Sequence, residues 1–488
     1  MTRLLSRPLL LSVALTLLLA QAAAAETRSL LILHTNDIHG HVRPGSDGSG
    51  GLPYVAGYVA QERAKRNDVL LLDAGDVMEK GDMVALVTED KVTYEAMGRM
   101  KYDAAVPGNH DLTRGLALLN ANRPLLGGTE FLCANCLDDV GKPLWEASHV
   151  FEINGLRVGV IGATVNLKGQ VGDASVLDFD PMADRIAVEA ARLGRDCHVL
   201  IVLAHLGVED CRKLAGRVPS VNVFVGGHTH QLTNSPVPTD SGAVIVQAGC
   251  HARWIGSVEL SVDTETRSVK LTKGGVVEMR HGAAPCDEDM LARIRAEEQR
   301  VCPEAARVVG RSDTAVNNLD MACIAAAALR EKAGADIGFC QPRIIYSPLD
   351  AGVVDVNALV LVGGQRAAEL FALKANGRDI EAYIHGLKCR MGEDTAWAGF
   401  KAKVTDGGVT SDLEPERVYS VVMTKVELRR FLTVWDKAKG ARPKFTPCAF
   451  SFVEALAGHI AHATAEGKSV DQLAACIDKD SSSAKEAG

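Results

Sequence analysis

Five short stretches in the first half of the chain carry residues of the kind that hold metal ions. They are Asn36-Asp37-Ile38-His39, Gly75-Asp76, Pro107-Gly108-Asn109-His110-Asp111, the single His205, and Gly226-Gly227-His228-Thr229-His230. Asp, Asn and His offer mixed oxygen and nitrogen donors, a set suited to manganese, iron, cobalt or zinc. An Asp-x-His turn can aim two side chains at one ion, and a central carboxylate such as Asp76 can bridge two. Two ions roughly 3.5–4 Å apart would activate a water and neutralise charge on a phosphoryl group. Taken singly, each stretch reads as a surface turn or, for His205, as a satisfied core histidine. Five in order are a different matter, because of what precedes them.

Each stretch follows an apolar run of strand length: Leu30–His34, Val69–Asp73, Ala104–Val106, Val199–Ala204 and Val221–Val225. Further strand-like runs are Glu130–Ala134, Arg157–Ala163 and Ala243–Gln247. Helical patterns lie between them at Tyr54–Arg66, Val92–Lys101, Arg114–Asn122 and Met182–Arg195. Strands alternating with helices predict a largely parallel sheet with helices on its faces. Ligands in such sheets bind outside the carboxyl ends of the strands, so the five stretches are expected on one rim. Glycines beside Asp76, Asn109 and His228 permit tight turns and close backbone approach. A closing hairpin is expected from Ser257–Val262 and Val269–Leu271.

Length and composition set the context. The chain has 488 residues, 47% apolar and 23% charged, with a net charge of −8. That is ordinary globular usage with room for more than one domain. An acidic balance with 5% aromatics argues against a nucleic-acid partner. Arg3 and Arg7, the apolar run Leu9–Ala20 and the small residues Ala22–Ala25 have the layout of a secretory signal peptide. Its removal leaves 51 basic against 61 acidic residues, no later run looks like a membrane span, and the protein is expected to be periplasmic or secreted. Twelve cysteines, all beyond residue 130, then suggest several disulfides. Cys133 and Cys136, read on a strand, would stand roughly 10 Å apart and form neither a mutual disulfide nor a zinc site. Composition shifts near 281. The expected domains are a signal peptide over 1–25, a catalytic domain over 28–280, a linker helix within 281–305, a second domain over 306–478 and a disordered tail over 479–488.

In this order the motifs resemble those of the calcineurin-like metallophosphoesterase superfamily, and within it the exported bacterial 5′-nucleotidase and UDP-sugar hydrolase family. The matching segments are Leu31-Ile-Leu-His-Thr-Asn-Asp-Ile-His-Gly-His41, Gly50-Gly51, Asp73-Ala-Gly-Asp76, Gly108-Asn-His-Asp111, Ala134-Asn135 and Gly227-His-Thr-His230. The resemblance covers about 28–478 and is specific only in the first 260 residues. It implies an α/β/β/α catalytic sandwich followed by a smaller α+β domain. It also implies two divalent ions, one held by Asp37, His39, Asp76 and His230 and the other by Asp76, Asn109, His205 and His228. His110 would be the catalytic histidine, stabilising the phosphoryl charge or protonating the leaving oxygen, with Asp111 beside it. Arg343 would contact the phosphate of the substrate, a small phosphorylated molecule of the nucleotide class.

The chain also departs from that pattern. Many relatives place an aspartate where Thr113 stands, three residues after the histidine, and Asp111 falls on the position of their glutamate. A glycine-rich substrate loop is replaced by Cys340-Gln-Pro-Arg343, and the aromatic clamp motif is absent from Val421–Phe431. Tyr383, Trp397, Phe400 and Phe431 are candidates to stack on a base, and core packing would explain each equally well. Alternatives to a nucleotidase are a thiosulfohydrolase-like enzyme acting on a carrier protein, and a non-catalytic binding protein on the same scaffold.

Overall fold

The computed structural model describes residues 26–169, 171–364, 369–405, 407–438 and 443–475. The signal peptide expected over 1–25 and the tail expected over 479–488 lie outside them. The chain divides into two compact units. The first comprises residues up to Ile38, Val55–Val77 and Met97–Glu278; the second comprises His39–Tyr54, Met78–Ala96 and the chain from Met279 onward.

Two six-stranded sheets build the first unit. Its strands are β1 (Thr27–Thr35), β2 (Val69–Asp73), β3 (Ala104–Ala105), β4 (Glu130–Phe131), β5 (Cys136–Leu137), β6 (Ser148–Ile153) and β7 (Leu156–Thr164). They continue with β8 (Ser175–Val176), β9 (Val199–His205), β10 (Val223–Val225), β11 (Val237–Pro238), β12 (Val244–Val246), β13 (Trp254–Asp263) and β14 (Val269–Glu278). One sheet has the order β14-β13-β1-β2-β3-β4, the other β11-β12-β10-β9-β7-β6, and β5 pairs with β8. The inner strands run parallel, β13 joins β1 antiparallel, and β13 and β14 form the expected hairpin.

Alternation along the strands explains the layering, since successive side chains point to opposite faces. Leu30 and Ile32 of β1 and Leu70 and Leu72 of β2 share one core with Val160, Ile201, Leu203 and Val225 of the other sheet. Residues of the opposite parity, Leu200, Val202, Ala204 and Phe224, pack under the helices Phe179–Leu193 and Val208–Arg217 through Met182, Ile186, Cys211 and Leu214. Register then sets the rim. Thr35 pairs with Asp73 and Asp73 with Ala105, while Leu203 pairs with Val225. In the first sheet the strands therefore end level, while in the second β9 runs two residues past the end of β10, to His205.

The second unit is α+β. Its strands are β15 (Val308–Ser312), β16 (Ile337–Cys340), β17 (Gly352–Asp355), β18 (Leu370–Asn376), β19 (Ala396–Ala398), β20 (Ala402–Thr405), β21 (Gly408–Ser411), β22 (Val418–Thr424) and β23 (Phe445–Pro447). Five of them form the sheet β19-β16-β22-β18-β23, and β15-β17 and β20-β21 are separate pairs. The helices Asn318–Ala333 and Phe452–Ala465 close one core through Met321, Ala325, Leu329, Leu456 and Ile460. The helix Glu288–Val301, expected as a linker, is tied into this unit. Its Glu298 receives Arg43 at 2.6 Å, and the same guanidinium reaches Asp355 at 2.6 Å. Asp82 holds the turn beside it, accepting from the Val42 and Arg43 amides at 2.7 and 2.8 Å and from Asn357 at 2.7 Å.

The cysteines depart from expectation. All eleven described cysteines are free thiols, so the disulfides anticipated from the even count are not found among the described residues. Seven of them are buried, where a thiol packs as a small apolar group. Cys133 and Cys136 are also placed differently. The β4 ladder ends at Phe131 and the chain bends at Ala134-Asn135, so the two thiols share a hydrogen bond instead of lying far apart.

Candidate metal centre

The loop after β1 places Asp37 by exchanging hydrogen bonds with both of its neighbouring loops. Its amide donates to the Gly75 carbonyl at 2.8 Å, and its carboxylate accepts from the His228 amide at 3.1 and 3.0 Å. Asn36 fixes the carboxylate from the side: its Nδ2 donates to Asp37 Oδ2 at 2.7 Å and to the Gly249 carbonyl at 2.6 Å. Asn36 Oδ1 accepts the Ala248 amide at 2.8 Å, so the whole amide group is spent on positioning. His230 Nε2 lies 3.4 Å from Asp37 Oδ1. His39, next but one along the chain from Asp37, completes a set of three possible ligands with them, and its Nδ1 lies 3.2 Å from the Met78 carbonyl. Burial disfavours the charged His230 ring, but its hydrogen bonds with Asp37 and Cys250 outweigh that and raise its pKa to about 10.

A second set gathers Asp76, His205 and His228, whose ligand atoms lie within 4.8 Å of one another. Gly108 makes the approach possible. A Cβ there would stand 2.0 Å from Asp76 Oδ1 and 2.3 Å from the Asp76 amide, so no other residue fits without moving the carboxylate. His205 is the most telling member. Its Nδ1 lies 2.7 Å from the Ala74 carbonyl and donates to it, so in the neutral ring Nε2 carries the lone pair. That lone pair faces Asp76 Oδ2 at 3.1 Å without the direction of a hydrogen bond, and both side chains are fully buried. An acceptor aimed at an anion inside a protein calls for a positive charge between them. Burial opposes a proton there, yet the Asp76 charge outweighs it and carries the His205 pKa up to about 9. His228 shifts the other way, pushed down by burial and by the charge of His205, and its Nδ1 lies 3.0 Å from Asn109 Oδ1. A buried carboxylate, two imidazoles and an amide oxygen at one point are a donor set that fits a divalent cation.

Residues 30–232 match the family model described as calcineurin-like phosphoesterase. Over that stretch the chain is similar to calcineurin-like phosphoesterases. Protein 5NUC of Lutzomyia longipalpis is 30% identical over 358 residues, covering 64% of this chain and 61% of its own. Snake venom 5′-nucleotidase of Crotalus adamanteus is 26% identical over 353 residues, covering 65% and 59%. The chain thus spans about three fifths of the length of these relatives. The 5′-nucleotidase precursor of Thermus thermophilus superposes with a TM-score of 0.67 at 21% identity, over 89% of this chain and 96% of that one. Its agreement extends the two-domain fold to the second unit.

At the candidate ligands the backbone is held in the left-handed region: Asp37 (φ 52°), His39 (49°), Asp76 (58°), His228 (70°) and His230 (55°). Asp, Asn and His are the non-glycine residues that tolerate it best, and such strain gathers at ligand sites. His110 opens the short helix Asn109–Thr113, with its amide on Asp76 Oδ1 at 2.8 Å, and is half-buried. Asp111, expected beside His110 at the catalytic centre, lies under the Asp76 loop. It is buried, and its Oδ2 accepts the amides of Asp76 and Gly108 at 2.9 and 2.7 Å. It therefore positions the Asp76 loop from beneath. Thr113 donates to the Asn109 carbonyl at 2.7 Å. Asp73, also fully buried, accepts from Thr35 at 2.7 Å and from the Gly75 amide at 3.0 Å. Burial, with the charges of Asp111 and Asp37, outweighs those bonds and raises its pKa to about 8.

The second unit treats its expected site residues otherwise. Arg343 Nη1 bonds Glu393 Oε1 at 3.0 Å, an oxygen that also receives Arg430 at 2.6 Å. Tyr383, Trp397, Phe400 and Phe431 are all buried in one aromatic core, so none is available to stack on a base. Asn36, Asp73 and Asn135 were not anticipated as positioning residues. Asn135 donates to the Thr164 carbonyl at 2.8 Å and accepts the Thr164 amide at 3.0 Å. Its signal in the sequence was a polar residue inside a run read as strand.

Proposed function

We propose that the chain is an exported dinuclear-metal phosphohydrolase of the 5′-nucleotidase type, acting on small phosphate esters and chiefly on nucleotides. The observation that carries this reading is the convergence of two three-residue donor sets, Asp37–His39–His230 and Asp76–His205–His228, on loops at strand ends. One divalent ion would be held by Asp37, His39, Asp76 and His230, and the other by Asp76, Asn109, His205 and His228. Two such ions, of manganese, zinc, cobalt or iron, would supply the Lewis acidity that activates a water and neutralises charge on the phosphoryl group.

The chain's own groups do the rest. Asp76 would serve both donor sets; Asp111 accepts from its amide and the His110 amide donates to its Oδ1. His110 would hold a proton for the departing oxygen or donate to the phosphoryl oxygens, its base anchored to the shared carboxylate. Asn36 and the His228 amide keep Asp37 from turning away. Relatives named as 5′-nucleotidases support a nucleotide substrate. Export is supported by the leader-like first 25 residues, and among the described residues no helix is long and apolar enough to cross a membrane.

The test is metal analysis of reconstituted protein beside a hydrolysis panel of AMP, other nucleotides and p-nitrophenyl phosphate with Mn, Zn, Co and Mg. About two ions per chain and metal-dependent phosphate release are expected. Trace metal after reconstitution, or activity unaffected by chelation, would sink the reading.

A further inference from the structure

His230 belongs to a third set of possible ligands, with Cys250 and His251. The ligand atoms of these three lie within 4.8 Å of one another, and all three residues are half-buried. Adjacent residues of an extended chain point to opposite sides. Here they do not, because the chain turns through the left-handed region at Gly249 (φ 67°), His251 (61°) and Ala252 (52°). The turn is pinned by the His251 amide donating to the Asp37 carbonyl at 2.8 Å. The His230 and His251 rings meet edge to face with centroids 5.7 Å apart, and Cys250 is hydrogen-bonded to His230.

We propose that His230, Cys250 and His251 form a further binding set for a soft divalent cation of the zinc class, sharing His230 with the phosphoesterase centre. One thiolate and two imidazoles are a zinc-type donor set, whereas manganese and magnesium favour oxygen. Three protein donors leave a fourth position for water. On binding, the Cys250 thiol gives up its proton to solvent and its sulfur bonds the ion; no oxidant or reductant is involved. Because His230 serves both sets, excess zinc should draw it from Asp37 and inhibit enzyme loaded with manganese. That consequence rests on the function proposed above; the binding itself does not.

The experiment titrates the full-length chain with cadmium and follows the ultraviolet thiolate-to-cadmium charge-transfer band. The wild type should show a component that Cys250→Ser removes and that His251→Ala shifts to higher cadmium. Even outer partners of metal ligands change affinity by about 10–100-fold, so loss of a direct ligand should cost at least about tenfold. Asp76→Asn should keep the component, which separates this site from the dinuclear one. Measured against its own zinc-free rate, manganese-supported hydrolysis by Cys250→Ser should need about tenfold more zinc or above for inhibition. An identical band in wild type and Cys250→Ser would overturn the site. Equal zinc sensitivity of the two proteins would overturn the sharing of His230.

Discussion

Residues 26–278 and residues 279–475 handle backbone strain and charge in opposite ways. The first stretch holds fourteen non-glycine residues at positive φ, five of them the ligand-type residues Asp37, His39, Asp76, His228 and His230. The second holds none among its described residues. In the first, ionisable groups face each other in full burial, as His205 and Asp76 do. In the second, Arg343 and Arg430 share Glu393, and Lys388 pairs with Asp394. Left-handed backbone at a non-glycine residue costs on the order of 1–3 kcal/mol and persists only where surrounding structure enforces it. The difference teaches that the first stretch carries left-handed backbone and buried charge together at its candidate ligands, while the second has settled its charges among themselves.

The sharpest way to break that comparison is Asp76→Asn. Asp76 is proposed to touch both ions, so losing its charge should take activity to background and leave the chain with markedly less metal than the wild type. Hydrolysis assays with metal analysis check it. Full activity would mean that the strained rim does no chemistry. His110→Ala comes next. It should keep its metal and slow turnover by roughly 10²–10⁴, the range of a general acid or base. Loss of metal in that variant would make His110 a structural residue.

Asp111 tests whether the strain is held in place from below. Asp111→Ala leaves the Asp76 and Gly108 amides without their acceptor, and each buried orphan costs about 1–3 kcal/mol. Turnover should fall by roughly 10–100-fold, as for other groups that orient metal ligands. Asp111→Asn retains a carbonyl oxygen and should recover most of it. Kinetics over a metal titration distinguish the two variants.

How much of this was legible in the sequence follows from the physics of each region. Strands β1, β2, β7 and β9 announced themselves as apolar runs because both of their faces are buried. The polar residues immediately after them stood out for the same reason. Strand β6 did not, since it is a half-exposed edge strand of mixed composition. The amide network of Asn36 was hidden because its partners, Ala248 and Gly249, lie more than 200 residues away. Cys133 and Cys136 were misplaced because an extended strand was assumed through the Asn135 bend. The aromatic residues of the second unit carried no mark separating a core ring from a stacking ring; only burial decided it.

Glu427 is the exception within the second stretch, a fully buried carboxyl that accepts from Tyr383 and Thr395. Burial raises its pKa from 4.5 to about 7, against the pull of those two hydrogen bonds. A raised folded-state pKa favours the protonated form in the native protein. Its contribution is therefore fully present below about pH 4.5 and is lost as pH rises through about 7. The wild type should lose thermal stability between pH 5 and 8 more steeply than Glu427→Gln does. A domain of 150–250 residues shifts by about 2–4 °C per kcal/mol, so the difference is a matter of a few degrees. Parallel melting curves against pH for the two proteins would remove Glu427 as the exception.

The smallest effect is expected at Arg343. A phosphate-reading arginine in an active site would be costly to remove. This one is half exposed and already engaged by Glu393, which Arg430 also holds. Exposed ion pairs of that kind contribute about 0–1 kcal/mol. Arg343→Ala should therefore leave both the melting temperature and the hydrolysis of p-nitrophenyl phosphate nearly unchanged. The same reasoning extends to the base. With Tyr383, Trp397, Phe400 and Phe431 committed to the core, a stacking contribution of roughly 1–3 kcal/mol per base has no evident source among them. The kcat/KM values for AMP and p-nitrophenyl phosphate should then lie within about tenfold of each other, the order of one aromatic contact. If AMP were preferred a thousandfold and Arg343→Ala abolished the preference, Glu393 would have to release the arginine to substrate. The settled charges of the second stretch would then be a resting arrangement, and the contrast with the first would shrink to its backbone.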